Sequence, residues 1–221
     1  MKIIFILFLS FSLQIAYSQF SKKNEPCDEV IPCDEKNPEI FIFIGKKINV
    51  SLVKQPQSCY TIVTDPKTKT KTELLHLRMD SKSKSKYRIL QKISKNVNFE
   101  IIDFISFDHN SKVRYDEFEN VLLFVGKYCN ELIHQKYQYQ PVYKMKNGKW
   151  ASPVCWEFDT TKRKSDKEPH KVEMAEPITI PRYQSHSKLE KIYQEPYYEI
   201  KEGKVYMRYG YYPEDLITKQ N

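Results

Sequence analysis

The chain has 221 residues, a formal net charge of +8 and sixteen tyrosines, but only five glycines. This length suits one good-sized domain with extensions, and a composition rich in aromatic and β-branched residues favours strands over helices. None of the glycines belongs to a GxGxxG, GxxxxGK[ST] or GxSxG motif, so the sequence gives no support to a nucleotide-binding fold or an α/β-hydrolase.

Residues 1–18 have the features of a secretory signal peptide. Lys2 precedes an apolar run over residues 3–9, and Ala16-Tyr17-Ser18 matches the small-x-small pattern that signal peptidase accepts. We expect cleavage near Ser18-Gln19, which exports the protein to the periplasm or the medium. An uncleaved anchor is the alternative. No later stretch approaches the length that spans a membrane, so no membrane span is expected after cleavage.

Residues 19–38 are polar and acidic, and we interpret them as a cysteine-bearing, irregular lead-in. The first predicted strand covers residues 39–44, with Gly45 as a bulge or bend, and continues over residues 48–53. Further strands are predicted at residues 59–64, 72–79, 87–93, 99–107, 121–129, 131–139 and 142–146. The Ser/Lys-rich residues 82–86 are interpreted as a solvated loop.

The stretch from residue 121 to residue 150 has the clearest β pattern. It begins with five apolar residues before Gly126, which is typical of a strand covered on both faces. Alternating apolar and polar residues follow, and Asn147-Gly148 suits a tight hairpin turn. Short strands separated by turn signals predict an all-β, mainly antiparallel fold over residues 39–158, either an OB-like barrel or a meander sandwich.

The C-terminal third divides into two predicted segments. Residues 159–196 are charged and contain prolines, which predicts a linker or an arm across the barrel surface. Within this arm, residues 187–194 could form two helical turns. Residues 197–221 contain a hairpin about Glu202-Gly203 whose apolar face must pack on the main sheet or on another molecule.

Five cysteines are disulfide candidates in an exported chain, and an odd number leaves at least one without an intramolecular partner. They are Cys27, Cys33, Cys59, Cys129 and Cys155. Because a Pro-Cys-Asp-Glu repeat surrounds the first two, we expect Cys27 to pair with Cys33. Cys59 would pair with Cys129 or Cys155, and both pairings stay open. The repeat has neither CxxC spacing nor histidine partners, so no metal site is predicted.

Two further groups of residues invite a test for chemistry. Asp108, Asn110 and Glu119 fit positions of an EF-hand loop, but Val113 stands where that loop needs glycine. Cys129 and His134 could be drawn as a thiol–imidazole pair, but an exported cysteine is more often oxidised. With no catalytic motif, the sequence favours a protein that is not an enzyme and needs no cofactor.

An aromatic stripe provides the predicted binding surface. It consists of Tyr137, Tyr139, Tyr143 and Trp150, and aromatic faces bind sugars and proteins while keeping a polar edge. The alternative is that these rings line the core or lie beneath the arm. The positive charge is spread widely, with clusters at residues 82–86 and 162–164. Nucleic acid is therefore not an expected partner, and anionic envelope polymers or lipids suit the charge better.

Three short motifs carry a family resemblance: IFIFIGKKI over residues 40–48, YRILQKI over residues 87–93 and ENVLLFV over residues 119–125. They resemble strands of netrin-like domains, the OB-type barrels shared with tissue inhibitors of metalloproteinases. The resemblance covers about residues 39–146 and implies a barrel. In the inhibitor branch an N-terminal cysteine coordinates the protease zinc. Here the cleaved chain starts at Gln19, so the resemblance does not extend to inhibition.

A second resemblance rests on residues 107–109, 121–143 and 195–197, which are similar to exported bacterial proteins that have no assigned activity. It implies export and no particular function. The sequence therefore predicts an exported, non-enzymatic β-domain that binds a protein or an envelope component. An envelope-polymer hydrolase and a purely structural or assembly protein are the alternatives.

Overall fold

The structure, a computed structural model, describes residues 25–27, 35–56, 58–109, 112–154, 167–184 and 189–217. The predicted signal peptide, Cys33, Cys155, most of the lead-in and the basic cluster at residues 162–164 lie outside these residues. Strands dominate the described chain. They are β1 (Glu25–Pro26), β2 (Glu39–Leu52), β3 (Ser58–Thr64), β4 (Lys71–Leu77), β5 (Ser81–Lys92), β6 (Ile101–Asp108), β7 (Asn120–Tyr128), β8 (Glu131–Pro141), β9 (Tyr143–Lys144), β10 (Trp150–Pro153), β11 (His170–Lys171), β12 (Tyr198–Lys201), β13 (Lys204–Met207) and β14 (Tyr209–Tyr211).

The helical elements among these residues are short. They comprise the 3-10 helices Arg114–Glu117, Arg182–Gln184 and Pro213–Leu216 and one α-helical turn, α1 (Leu189–Ile192). The helix predicted over residues 187–194 is therefore a single turn in its described part. No helix among the described residues is both long enough and apolar enough to cross a membrane.

Five strands close into a barrel in the order β2-β5-β6-β8-β7, and β7 returns to β2. The neighbouring pairs are antiparallel except β6 with β8, which run parallel and share one bridge, between Ile105 and Ile133. The predicted all-β, mainly antiparallel barrel is thereby confirmed. The single bridge makes the β6–β8 junction, here called the seam, the place where the backbone contributes least to closure.

Strand β2 is the longest, with fourteen residues, and pairs with both β5 and β7. Its pairing with β5 shifts register between Ile44 and Gly45 and again between Lys47 and Asn49, so the predicted bulge at Gly45 is confirmed. A Cβ at position 45 would lie 3.0 Å from the ring of Tyr87, which explains the glycine. Bulges bend a strand, and this bending lets β2 curve around a small barrel.

The prediction of a solvated loop at residues 82–86 is wrong, because these residues belong to β5. Ser83 and Ser85 are buried, whereas Lys84 and Lys86 are exposed, which is the period-2 pattern of a strand. Serine fits the inward positions because the interior already holds large rings. The Oγ of Ser85 also forms a 2.6 Å hydrogen bond with the hydroxyl of Tyr115.

The barrel core is predominantly aromatic and aliphatic. Tyr115 enters it from the 3-10 helix and is only 1% exposed, with its ring 4.8 Å from that of His134 and 6.0 Å from that of Tyr87. The buried residues of this core are Phe41, Phe43, Tyr87, Val97, Ile102, Phe104, Val113, Tyr115, Phe118, Val121, Leu123 and Val125. A 3-10 helix therefore supplies one of the most deeply buried side chains of a core that strands build for the most part.

Strand β7 is covered on both faces, as its apolar run predicts. Val121, Leu123 and Val125 belong to the barrel core, while Leu122 and Phe124 pack in a second cluster with Trp150, Val142, Ile44 and Leu216. The second cluster draws on residues close to the C-terminus. Residues 121–126 of β7 are thus buried on both faces, and Leu216 near the C-terminus is among the residues that cover the second face.

The C-terminal region builds a third cluster around a four-stranded sheet of order β11-β14-β10-β9 and the hairpin β12–β13. In the hairpin Ile200 faces Val205 and Tyr198 faces Met207, which confirms the predicted register. These side chains pack with others of the same chain, including Tyr143, Ala151, Val172 and Met174. The described part of the predicted arm is also tied down, because Asp215 bonds to Lys167 at 2.5 Å and His170 at 3.0 Å.

The described residues 25–27, 55–56 and 58–79 belong to a separate compact unit. Its sheet has the order β1-β3-β4, with β1 parallel and β4 antiparallel to β3, and we call it the small sheet. A disulfide joins Cys27 to Cys59, so the expected pairs Cys27–Cys33 and Cys59 with Cys129 or Cys155 are wrong. Pairing of β1 with β3 brings the two Cα atoms to 4.8 Å, a proximity that spacing along the sequence does not reveal.

Candidate interaction surface

The small sheet buries very little of its own surface. All seven residues of β4 are exposed, and Cys59 is the buried residue of β3. Ten large hydrophobic side chains are exposed in the described part of the chain, and six of them lie between residues 62 and 79: Ile62, Val63, Leu74, Leu75, Leu77 and Met79. Leu77 and Met79 are the most exposed, at 67% and 76%. Clustered apolar exposure of this kind marks interaction surfaces, whereas scattered apolar residues do not.

The strand register places the exposed residues on two faces. Tyr60 lies opposite Leu75, Ser58 opposite Leu77 and Ile62 opposite Glu73. Because paired residues share a face and side chains alternate along a strand, Tyr60, Ile62, Leu75 and Leu77 lie together. We call this set the aliphatic face. It is continuous, since directly paired and diagonal neighbours on one face are within contact range.

The opposite face is mixed. Val63 and Leu74 lie there with Thr61, Thr72 and His76, and the Oγ1 of Thr61 is 2.8 Å from the Nε2 of His76. The outer edge of β4 has no partner strand among the described residues, which place β4 at the end of the sheet order. The small sheet therefore presents the aliphatic face, which also carries Glu73, a mixed face and, among the described residues, one edge without a partner strand.

The turn that joins β3 to β4 is ordered and basic. The Oδ1 of Asp65 accepts hydrogen bonds from the backbone N–H of Thr68 at 2.9 Å and of Lys67 at 2.7 Å. These two backbone hydrogen bonds hold the pKa of Asp65 below its usual value, so the carboxylate is ionised and stabilises the turn. Four cationic residues and two acidic residues lie between residues 58 and 79, a balance of +2 (4 − 2). Three of the cations are Lys67, Lys69 and Lys71, at the turn.

A cleft of about 390 Å³ opens at the seam of the barrel. It is lined by Lys84, Ser85, Asp103, Phe104, Ile105, Asn130, Glu131 and Leu132. Asp103 is 70% exposed and pairs with Lys86 at 3.4 Å, and Glu131 is also exposed. A carboxylic acid that holds its proton at neutral pH needs a desolvated site, and neither carboxylate lies in one. The cleft therefore lacks the environment that a glycosidase acid requires.

His134 and Cys129 do not form a catalytic pair. Cys129 is disulfide-bonded and so has no free thiol. His134 is buried, with its Nε2 3.0 Å from the backbone oxygen of Gln138, and burial lowers the pKa of His134 to about 4. The imidazole is therefore neutral at physiological pH and packs as a core side chain.

A cluster of three charged or titratable side chains, Asp80, His109 and Lys136, lies near the seam. Asp80 lies 2.5 Å from the Nδ1 of His109, and its carboxylate oxygens lie 2.7 and 2.8 Å from the Nζ of Lys136. Partial burial of the ammonium disfavours its charge, but Asp80 and the adjacent Tyr137 outweigh this effect and raise the pKa of Lys136. Tyr137 has a φ of +65°, an unusual value for a residue with a side chain. These contacts link the start of β5, the end of β6 and β8.

The described residues contain no group of three or more His, Cys, Asp or Glu side chains that could hold a metal ion. Comparison with known proteins adds no identification. No family model, curated protein or solved structure matches the chain. The resemblance to netrin-like domains accordingly stays an expectation, and the geometry alone supports a proposal about function.

The four aromatic residues predicted as a binding surface lie in different parts of the structure. Tyr139 packs against the barrel core, 5.9 Å from the ring of Tyr115. Tyr143 is 8% exposed in the C-terminal cluster, where burial raises its pKa to about 12 and its hydroxyl accepts a hydrogen bond from the backbone N–H of Thr179 at 3.1 Å. Trp150 is 8% exposed in the second cluster, and Tyr137 is partly exposed. The structure does not bring them together as one face.

The sequence reasoning missed the small sheet as a surface, although a signal for it exists. Ile62-Val63 and Leu74-Leu75 are adjacent apolar pairs, and adjacent residues of a strand point to opposite faces. Such pairs predict a strand that is apolar on both faces. The predicted barrel over residues 39–158 includes both strands, so that prediction does not single them out as a surface.

Proposed function

We propose that this protein is an exported, non-enzymatic binding module whose contact surface is the small sheet. The observation that carries the proposal is the exposure of six large hydrophobic side chains between Ile62 and Met79. Burial of one such side chain contributes about 1.5–3 kcal/mol relative to leaving it exposed. A short sheet that leaves six of them exposed forgoes this stabilisation unless a partner covers them.

The covalent organisation of the small sheet supports the same proposal. An isolated two-stranded hairpin is marginal in water, and β1 adds only two residues to the β3–β4 pair. The Cys27–Cys59 disulfide has a sequence separation of 32 and compensates for the missing core, because it closes a loop worth roughly 3–4 kcal/mol in the chain-entropy model. The chain thus holds an apolar surface in place by a covalent bond instead of by burial.

The two alternatives from the sequence have less support. The hydrolase hypothesis would need a desolvated acid, and the carboxylates at the seam cleft are exposed. The assembly hypothesis assigned the tail hairpin to another subunit, but Tyr198, Val205 and Met207 are buried within their own chain. An interaction through the small sheet fits the distribution of apolar surface better than either.

Site-specific photocrosslinking in the producing cell tests the proposal. A photoreactive p-benzoylphenylalanine would replace Leu75 on the small sheet or, as a control, Leu90 on β5, which is 41% exposed. We expect protein or lipid adducts from position 75 and few from position 90, detected by gel shift and mass spectrometry. Equal yields at the two positions, or no adduct at position 75, would contradict the proposed contact surface.

A further inference from the structure

The small sheet combines its aliphatic face with positive charge at one end. We propose that this face docks on a lipid bilayer that contains anionic phospholipid. The inference rests on the proposed function and names the partner of the same surface. It follows from how the register, the turn and the open edge act together.

The register places charge and apolar surface side by side. Lys71 has the same parity as Leu75 and Leu77, so its side chain lies on the aliphatic face. Lys67 and Lys69 follow in the turn at the same end of the sheet. Asp65, the acidic residue in that turn, accepts the two hydrogen bonds from the backbone N–H groups of Lys67 and Thr68, and neither bond uses a lysine ammonium group. The end of the face therefore presents three ammonium groups beside apolar side chains, against two carboxylates: Asp65 in the turn and Glu73, which lies on the same face as Lys71.

This arrangement suits an anionic membrane surface. Phospholipid headgroups supply a plane of negative charge, and each nearby lysine strengthens binding roughly fivefold, so three lysines supply about a hundredfold. Leu75, Leu77 and Ile62 are positioned to enter the boundary between headgroups and acyl chains. Tyr60 lies beside Leu75, and tyrosine is enriched at that boundary because its ring is apolar and its hydroxyl is polar.

The open edge of β4 fixes the depth of the contact. Unpaired backbone N–H and C=O groups cannot enter hydrocarbon without a large cost, so an open sheet does not cross the bilayer. The sheet must lie flat at the interface, with its edge still hydrated. A protein strand would instead pair with this edge and would draw nothing from the lysines of the turn. The charge at the end of the face therefore favours the lipid surface over strand addition.

Vesicle co-sedimentation of the purified full chain tests the docking directly. The probes are large unilamellar vesicles of pure phosphatidylcholine and of phosphatidylcholine with 30% phosphatidylglycerol, at about 50 and 500 mM NaCl. We expect binding to the anionic vesicles only, with a large loss at high salt. The triple variant Lys67→Gln, Lys69→Gln, Lys71→Gln should bind about a hundredfold more weakly. Leu75→Ser with Leu77→Ser should also abolish sedimentation.

A matched variant controls for charge and folding. Lys84→Gln, Lys92→Gln, Lys95→Gln removes the same charge from exposed positions of the barrel, and we expect it to bind like the parent protein. Far-UV dichroism and an intact-mass measurement of the disulfide confirm that each variant folds. Equal binding to both vesicle types, or an equal loss in the control variant, would overturn the lipid assignment.

Two further outcomes separate this inference from the proposed function. If vesicles are not bound while position 75 still crosslinks to a protein in cells, the lipid assignment fails and the binding module stands. If neither vesicles nor cellular molecules contact the sheet, both fail. A dimer that forms without vesicles and is lost in Leu74→Lys would assign the surface to a second copy and would likewise overturn the lipid assignment.

Discussion

Two tyrosines buried in the same barrel core give opposite predictions when each loses its hydroxyl group. The hydroxyl of Tyr115 bonds to the Oγ atoms of Ser85 and Ser106, and all three residues are buried. The hydroxyl of Tyr87 is also buried but has no hydrogen-bond partner among the described residues. Both side chains are close to fully inaccessible, at 1% and 0% exposed, so a change to phenylalanine alters hydrogen bonding without altering the packed volume much.

The magnitudes follow from the cost of leaving a buried polar group unpaired, which is about 1–3 kcal/mol. Tyr115→Phe leaves two serine hydroxyls to find new partners and should lower the free energy of unfolding by about 2 kcal/mol. Tyr87→Phe removes an unsatisfied hydroxyl and should leave that free energy unchanged or raise it by about 1 kcal/mol. Burial raises the pKa of both phenols, so neither ionises at ordinary pH and charge does not contribute.

Urea unfolding followed by far-UV dichroism measures these differences. A third variant, Tyr115→Phe with Ser85→Ala and Ser106→Ala, should recover most of the loss, because removing both partners of a buried hydrogen bond is nearly neutral. Equal effects of Tyr115→Phe and Tyr87→Phe, or no recovery in the triple variant, would refute the hydrogen-bond network as the reason why β5 carries inward serines.

Three further predictions concern other parts of the chain. The double variant Cys27→Ala, Cys59→Ala should lose roughly 3–4 kcal/mol of local stability in the small sheet, seen as faster tryptic cleavage there but unchanged cleavage of the barrel. His134 has a lowered pKa of about 4 when folded, so the unfolded state binds more protons between pH 4 and 6.5. The stabilisation that comes from keeping His134 neutral is complete above pH 6.5, and the free energy of unfolding falls by about 3 kcal/mol toward pH 4. His134→Gln should make the urea midpoint less dependent on pH over this window. An unchanged pH dependence of the midpoint would contradict the burial of His134. Gly210→Ala should destabilise the protein by about 1–3 kcal/mol, because the new Cβ would lie 2.8 Å from the backbone oxygen of Ser152, and a parental melting temperature would disprove that close approach.

Local chemistry explains the parts of the fold that the sequence predicts correctly. The bulge at Gly45, the buried run of β7 and the register of the tail hairpin all depend on residues within one strand or one turn. The Asn147-Gly148 turn is of the same kind: Gly148 has a φ of +80°, and its N–H donates to the carbonyl of Met145 at 2.9 Å. Side-chain alternation, a bulge and a turn all follow from the local backbone conformation, so they can be recognised without knowing which distant segments pack against them.

The wrong predictions concern residues whose environment is set by segments distant in the sequence. Residues 82–86 alternate as a strand does, but inward serines signal burial only when a hydroxyl such as that of Tyr115 lies opposite. The disulfide depends on which strands pair, and the pairing of β1 with β3 joins Cys27 and Cys59 across a sequence separation of 32. Composition and spacing contain no direct record of such long-range pairing.

The candidate surface shows the same division. The sequence by itself determined that Ile62-Val63 and Leu74-Leu75 place apolar side chains on both faces of two strands, because side-chain alternation is a local property of the backbone. Only the tertiary structure decided that these side chains are exposed, since the apolar run of β7 is buried at every position from 121 to 126. Burial depends on which other segments pack over a strand, and all seven residues of β4 are exposed.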